Sequence, residues 1–353
     1  MLSVTMTYEE LVAKISCESI FDKQVLVSKD WLGHDILAGV IEAGEDRPNI
    51  LITAGVHGDE PAGVLAAIKA AEALPVSANL YVLFCRDPVG YSPLEHVFSE
   101  MFEEKIQIAD YNDLNTLCKN YGEIIELEEL TIGIFRNICL VYKPGFEKTT
   151  SIMIAKSLSN ILNTSEDLRE KLDRMRVLVP SLSRKSEKLE IVSRAFYVMD
   201  GKVIDYDCLS KEIDLPENIA LRDFIDSIKP SLIIDLHEGE HQGFCVIVPE
   251  GALEECKDII DAVRKQVEAH GMGCTPPEGL KNCEVDYDLE IERVLGPGTG
   301  IARLDERLVG YANRQGISLF FSSERKRDFK ERVETHIIAV HSAVHMYATL
   351  YGL

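Results

Sequence analysis

The sequence predicts an α/β fold: a single domain spanning residues 1–353, with a mixed, mostly parallel sheet flanked by helices. Two observations carry that expectation. Residues 49–54, 61–74 and 79–85 read in turn as strand, helix and strand, and a crossover of that length joins parallel neighbours in a right-handed sense. Three later apolar runs, at 231–237, 244–248 and 317–321, are of strand length and too short for helices.

Residues 8–20 carry a helical period in Leu11, Val12, Ile15 and Ile20, and 35–43 read as a strand. Glu45-Asp46-Arg47-Pro48 is a polar turn into the apolar strand from Asn49. In the helix 61–74, opened by Pro61 and stopped by Pro75, the residues Val64, Leu65, Ile68 and Ala71 line one face. The strand 79–85 ends in a turn signal, Arg86-Asp87-Pro88.

Residues 92–215 carry weaker signals. Helices are expected at 150–162 and 166–176, and Glu123–Glu129 reads as a solvated acidic face. The stretch has no repeat and no Gly/Ser linker, so it is expected to be an insertion or elaboration of the same domain. Order returns with a helix at 218–228, followed by the strands above and helices at 252–269 and 328–350, with 271–301 as a Gly/Pro-rich loop.

With 46% hydrophobic residues the chain has material for a large core, and its net charge of −22 opposes nucleic acid and anionic membrane as partners. No run approaches the apolar length of a membrane span, and no basic, apolar leader opens the chain. Nine cysteines without Cys-x-x-Cys pairs suit reduced thiols, so a cytoplasmic location is expected.

The chemistry gathers at strand ends, where ligands bind in open α/β sheets. The 49–54 strand delivers His57 and Glu60, three residues apart, with Gly58 letting the backbone come close. This pair is either half of a metal site or a helix cap. The strand 231–237 also ends in a histidine, His237, and 317–321 leads to Glu324. Two imidazoles and a carboxylate with an open fourth position suit a catalytic zinc, and a further carboxylate suits a general base. Taken alone, Glu324 is a surface carboxylate ahead of the basic run Arg325-Lys326-Arg327.

Ile52-Thr-Ala-Gly-Val-His-Gly-Asp-Glu-Pro-Ala-Gly63, Asp235-Leu-His237 and the late Ser323-Glu324 before a terminal helix resemble the zinc carboxypeptidase superfamily. That superfamily includes the metallocarboxypeptidases and the succinylglutamate desuccinylase/aspartoacylase group. The resemblance covers residues 35–91 and 218–350 and implies one zinc per chain, held by His57, Glu60 and His237, with Glu324 as general base. It also implies a sheet of about eight strands, within the usual size of such sheets. The implied reaction is hydrolysis of an amide bond next to a free carboxylate, on a peptide or small molecule.

The family's Asn-Arg pair, found in contexts such as Asp-Leu-Asn-Arg, has its nearest match in Asp113-Leu-Asn115-Thr116, with Thr in place of Arg. Arg86 is the only arginine between residues 48 and 135, so Arg86 and Asn115 are the candidate substrate contacts, with Arg194 and Arg303 as other sources of the charge. Loss of such a donor costs about 10²–10³ in rate. Only 29 residues follow Glu324 and they read as one helix, an ending that looks like a carboxypeptidase. The wording around His57 is nearer the deacylases. The expected activity is therefore carboxypeptidase-like, with N-acyl amino acid deacylation as the alternative and a non-catalytic zinc-fold binding protein as a third reading. His241 is expected to be a solvated loop residue, His336, His341 and His345 a surface or interface stripe, and Leu295–Gly300 a rim loop.

Overall fold

The computed structural model describes residues 6–74, 77–144, 149–184, 189–280 and 290–353. Pro75, Cys283 and residues 281–289 of the expected 271–301 loop lie outside the described residues.

The strands are β1 (Lys23–Lys29), β2 (Asp35–Ile41), β3 (Asn49–Ala54), β4 (Asn79–Leu83), β5 (Glu123–Glu126), β6 (Thr131–Phe135), β7 (Ile138–Tyr142) and β8 (Arg176–Arg184). They continue as β9 (Leu189–Met199), β10 (Lys202–Asp205), β11 (Leu232–Gly239), β12 (Cys245–Pro249), β13 (Glu290–Gly296), β14 (Thr299–Arg303) and β15 (Ile317–Glu324). Among the described residues they form a nine-stranded sheet, ordered β1-β2-β4-β3-β11-β15-β12-β14-β13, and a six-stranded sheet, β10-β9-β8-β7-β6-β5.

The nine-stranded sheet is mixed, as expected, though its pairs split evenly by direction. β4–β3, β3–β11, β11–β15 and β12–β14 are parallel. β1–β2, β2–β4, β12–β15 and β13–β14 are antiparallel. The parallel centre is the part predicted from the crossover. The edges escaped prediction because β1 and β13 are half-solvated and lack a continuous apolar run. Residues expected as the rim loop Leu295–Gly300 belong to the β13–β14 hairpin.

Strand alternation sends alternate residues to two layers. From β3 and β11, Ile50, Ile52, Leu232, Ile234 and Leu236 join a core with the helices Pro61–Ala73, Leu253–Ala269 and Phe329–Tyr351. Leu51 and Ile233 face the other way, against the helices Pro216–Ile228 and Leu308–Ala312.

The stretch 92–215 contains the whole second sheet and a core of its own, whose buried members run from Leu94 to Leu215 and include one residue from outside, Val56. The expected helices appear as Ser151–Thr164 and Glu166–Leu172. Glu123–Glu126 is an edge strand that exposes its two glutamates.

Between β4 and this second sheet, Asp87 opens the short helix Pro88–Tyr91, where its Oδ1 accepts from the Gly90 N–H at 2.9 Å. Among the described residues its buried Oδ2 has no hydrogen-bond partner, and burial raises the carboxyl from 3.8 to about 7. A folded-state pKa above the unfolded one gives stability that is complete below the unfolded value and lost as pH rises through the folded value. Asp87→Asn keeps the acceptor and removes the charge. Its thermal midpoint is expected to vary less than that of the wild type between pH 4 and 7 and to exceed it above pH 7, by at most about 4 kcal/mol of stability. Parallel curves for the two proteins would refute the account.

Candidate metal centre

The first motif follows β3. Gly55 turns the chain with φ of +67°, and a Cβ there would lie 2.7 Å from the Val64 side chain. Gly58 meets the second sheet's side of the molecule so closely that a Cβ would stand 1.7 Å from the Gly90 carbonyl oxygen and 2.5 Å from that of Ser193. The turn places His57 and Glu60 side by side, both buried. Glu60 makes no cap bond to the helix that Pro61 opens, and the Ala62 N–H is taken instead by Glu238 at 2.6 Å. The two residues are therefore not a helix cap.

β11 runs parallel to β3 and carries Asp235 and His237 on one face. His237 stacks on Phe320 of β15, with ring centroids 4.3 Å apart. Its Nδ1 lies 3.0 Å from Glu60 Oε2, while His57 Nδ1 lies 2.8 Å from Glu60 Oε1. Ligand atoms of His57, Glu60 and His237 all fall within 4.8 Å of one another, so the group can hold a metal ion. The other ring nitrogens are held by carboxylates: His57 Nε2 by Asp205 at 3.1 Å and His237 Nε2 by Asp235 at 3.2 Å. Carboxylates in that position fix the tautomer and direct the free lone pair inward.

The electrostatics suit a cation. Burial pushes the His237 imidazole down, but Asp235 and Glu60 outweigh it and raise the ring to about 10. For His57, burial and Arg194 act downward, and Glu60 and Asp205 still prevail to raise it. Burial opposes the charged form of Glu60, yet the two imidazoles hold its carboxyl well below the usual range. The centre draws positive charge onto its nitrogens, which is the charge a divalent ion brings.

Four guanidiniums surround it, each already facing carboxylates. Arg194 reaches Asp205 at 2.5 Å and Glu60 at 4.0 Å. Arg86 holds Asp207 at 2.6 Å and Asp235 at 3.7 Å. Arg307 lies 3.1 Å from Asp207 and 3.6 Å from Asp205. Arg325 lies 2.8 Å from Asp59 and 3.6 Å from Glu60. Beside Asp205 and Arg307 opens a cleft of about 590 Å³, also lined by Lys202, Glu290, Arg303 and Asp305.

Over 99% of this chain and 75% of the other, the molecule matches carboxypeptidase A from Helicoverpa armigera with a TM-score of 0.50 at 11% identity. Over 98% of both chains it matches bovine thrombin-activatable fibrinolysis inhibitor, solved with tick carboxypeptidase inhibitor, with a TM-score of 0.51 at 11% identity. The fold is carboxypeptidase-like. At such identity the likeness concerns the fold alone, and no protein-family model or characterised protein sequence matches the chain.

On this carboxypeptidase-like fold, three of the six expected site residues, His57, Glu60 and His237, come together. Arg86 joins the surrounding ion pairs. Glu324 ends β15, paired in register with Gly239, and its carboxylate accepts from the Gly243 N–H at 2.9 Å and faces Arg327 at 3.1 Å. Asn115 sits on the helix Tyr111–Tyr121, which packs on β5 and β6, and its buried Oδ1 has no hydrogen-bond partner among the described residues. The segment with Asp-x-Asp spacing that touches the centre is Asp205–Asp207, not Asp113–Asn115. Arg194 supplies charge here, whereas Arg303 is a surface residue paired with Glu290 and Glu292.

Two expectations about other histidines fail. His241 is buried, with Nε2 at 2.7 Å from Ser322 Oγ and Nδ1 at 3.3 Å from Thr275 Oγ1. His336 is also buried, set edge-on to Phe244, and burial lowers its ring to about 3. A helical spacing locates a stripe but not which side of the helix it lies on. His341 is half-buried against the Ala70 carbonyl at 3.2 Å, and His345 alone of the three is exposed.

On the opposite face of β11, buried Glu238 pairs with buried Arg332 of the last helix, and the Glu238 N–H donates to Glu60 Oε2 at 3.1 Å. Burial raises the Glu238 carboxyl and Arg332 works against that rise. Arg332→Met leaves this carboxylate without its counter-charge, so a loss of roughly 3–5 kcal/mol is expected in chemical denaturation. The double change Glu238→Gln, Arg332→Met is expected to recover part of it. A single variant within about 1 kcal/mol of wild type would contradict a stabilising role for the pair.

Proposed function

We propose that this chain is a zinc-dependent hydrolase that cleaves an amide bond next to a free carboxylate, acting on peptide-type substrates with one zinc in the buried centre. The observation that carries the reading is the orientation of two imidazoles, each turned by Nδ1 to Glu60 and held at Nε2 by an aspartate. The carboxypeptidase-like fold supports it. When bound, zinc acts as a Lewis acid that polarises the scissile carbonyl and makes water easier to ionise.

The chain's own residues supply the rest. His57, Glu60 and His237 hold the ion, and Asp205 and Asp235 keep both rings in one tautomer. Glu324, at the end of the strand beside His237, is the general base and exchanges its contact with Arg327 for the attacking water. The substrate carboxylate goes to the guanidinium that can most readily change partners. Arg325 has 19% of its side chain exposed and Arg86 only 3%. Breaking a buried pair is costly, so Arg325 takes the role and Arg86 stays structural.

A second reading, a zinc-fold binding protein without turnover, is favoured by the contacts of Glu324 with Gly243 and Arg327. Elemental analysis and turnover separate the two. The hydrolase reading expects His57→Ala and His237→Ala each to lose one equivalent of zinc. Glu324→Gln keeps its zinc and loses at least about 10² in turnover of C-terminal dipeptides or N-acyl amino acids. Zinc without turnover in the wild type supports the binding protein, and a wild type whose metal is indifferent to both histidines sinks both readings. Arg325→Met is expected to raise KM about ten-fold or more with a smaller change in kcat, because a charged hydrogen bond to substrate is lost. An unchanged KM would remove Arg325 from substrate binding.

A further inference from the structure

Away from the buried centre, two imidazoles and two carboxylates from three separate elements converge at the surface. His34 lies in the turn between β1 and β2. Buried Asp30 organises that turn: its Oδ1 accepts the N–H groups of Leu32, Gly33 and His34 at 2.9, 2.9 and 3.0 Å. Its Oδ2 holds His34 Nδ1 at 2.8 Å. The ring is thereby fixed through one nitrogen, and the other is aimed outward.

That second nitrogen, Nε2, faces the two oxygens of Glu100 at 3.1 and 3.0 Å and Glu9 Oε1 at 3.2 Å. Glu9 comes from the helix Tyr8–Glu18, and its other oxygen lies 3.3 Å from His96 Nε2. His96 and Glu100 are one turn apart on the helix Leu94–Phe102, so they share a face. Ligand atoms of Glu9, His34 and Glu100 lie within 4.8 Å of one another. Nε2 faces three carboxylate oxygens from two helices, a convergence of donors that a cation can bridge.

We propose that Glu9, His34 and Glu100 form a second, surface site for a divalent cation of the zinc class, with Asp30 orienting the histidine and His96 beside Glu9. Nitrogen and oxygen donors in this ratio suit zinc, nickel or cobalt better than calcium or magnesium. The site joins the helix Tyr8–Glu18 to the helix Leu94–Phe102, so occupancy stiffens the first helix. A proton is the competitor. The hydrogen bond that the ring donates to Asp30, against the cost of burial and with help from Glu100, raises the His34 ring to about 9. A proton on that ring competes with the cation, so binding is measured at pH 7, 8 and 9 and is expected to tighten as pH rises.

The test is zinc binding by equilibrium dialysis, with histidine proton NMR and amide exchange as second readouts, on the full chain. The variants are His34→Gln, Glu100→Gln and the double His57→Ala, His237→Ala. The double variant is expected to keep one zinc, with the His34 and His96 ring signals shifted by it and exchange slowed in residues 8–18. His34→Gln and Glu100→Gln are each expected to weaken that zinc at least about ten-fold while leaving any zinc of the buried centre in place. Zinc counts unchanged in both single variants, or ring signals unmoved by zinc, overturn the site. Because the double variant lacks the buried histidines, failure of the buried centre and failure of the surface site give different counts.

Discussion

The structure depends on a bidentate arrangement at Glu60, whose two oxygens each meet the Nδ1 of a different histidine. One member of this group comes from β11 and two from the turn after β3, and those strands are parallel neighbours in the sheet. Parallel pairing brings the ends of both strands to the same edge, so side chains 177 residues apart in sequence can share one carboxylate. The backbone reinforces the arrangement, because the Glu238 N–H donates to the same oxygen that faces His237.

Burying so many charges demands compensation. Asp59, Glu60, Asp205, Asp207 and Asp235 face Arg86, Arg194, Arg307 and Arg325, all largely or wholly buried except Arg325. Five carboxylates against four guanidiniums leave one negative charge when both imidazoles are neutral. A divalent ion would turn that into one positive charge, a sign that attracts an anion. Without an ion, protons do the same work by settling on the two rings, which is why both are raised.

The candidate metal-holding histidines were legible in the sequence because each follows an apolar run: Ile50–Ile52 before His57 and Leu232–Ile234 before His237. The groups that orient them were not. Asp205 ends the short strand β10, 148 residues from His57, and β10 belongs to the second sheet. The neighbouring strands β8 and β9 bury Ser183, Glu190, Ser193 and Arg194, so polar residues interrupt the alternation from which a strand is read. Arg325 belongs to a basic run whose members the sequence does not tell apart: Arg325 turns inward to Asp59 while Lys326 keeps 70% of its side chain exposed. A charge run gives composition, and the strand end decides which member points in.

The second sheet is thus part of the centre, although its apolar core is separate. It contributes Asp205 and Arg194, and the distance at which it does so is set where Gly58 meets the Gly90 and Ser193 carbonyls. A methyl group on Gly58 would have to push apart the turn carrying His57 and the strand carrying Ser193, the residue next to Arg194. The hydrogen bond from His57 to Asp205 and the ion pair from Arg194 to Glu60 both span that same gap. Hydrogen bonds weaken steeply beyond about 3.2 Å, so even a small separation would release the ring that a metal ligand must keep still. The glycine whose use looked local, a tight approach after a strand, fixes the spacing on which both halves of the centre rely.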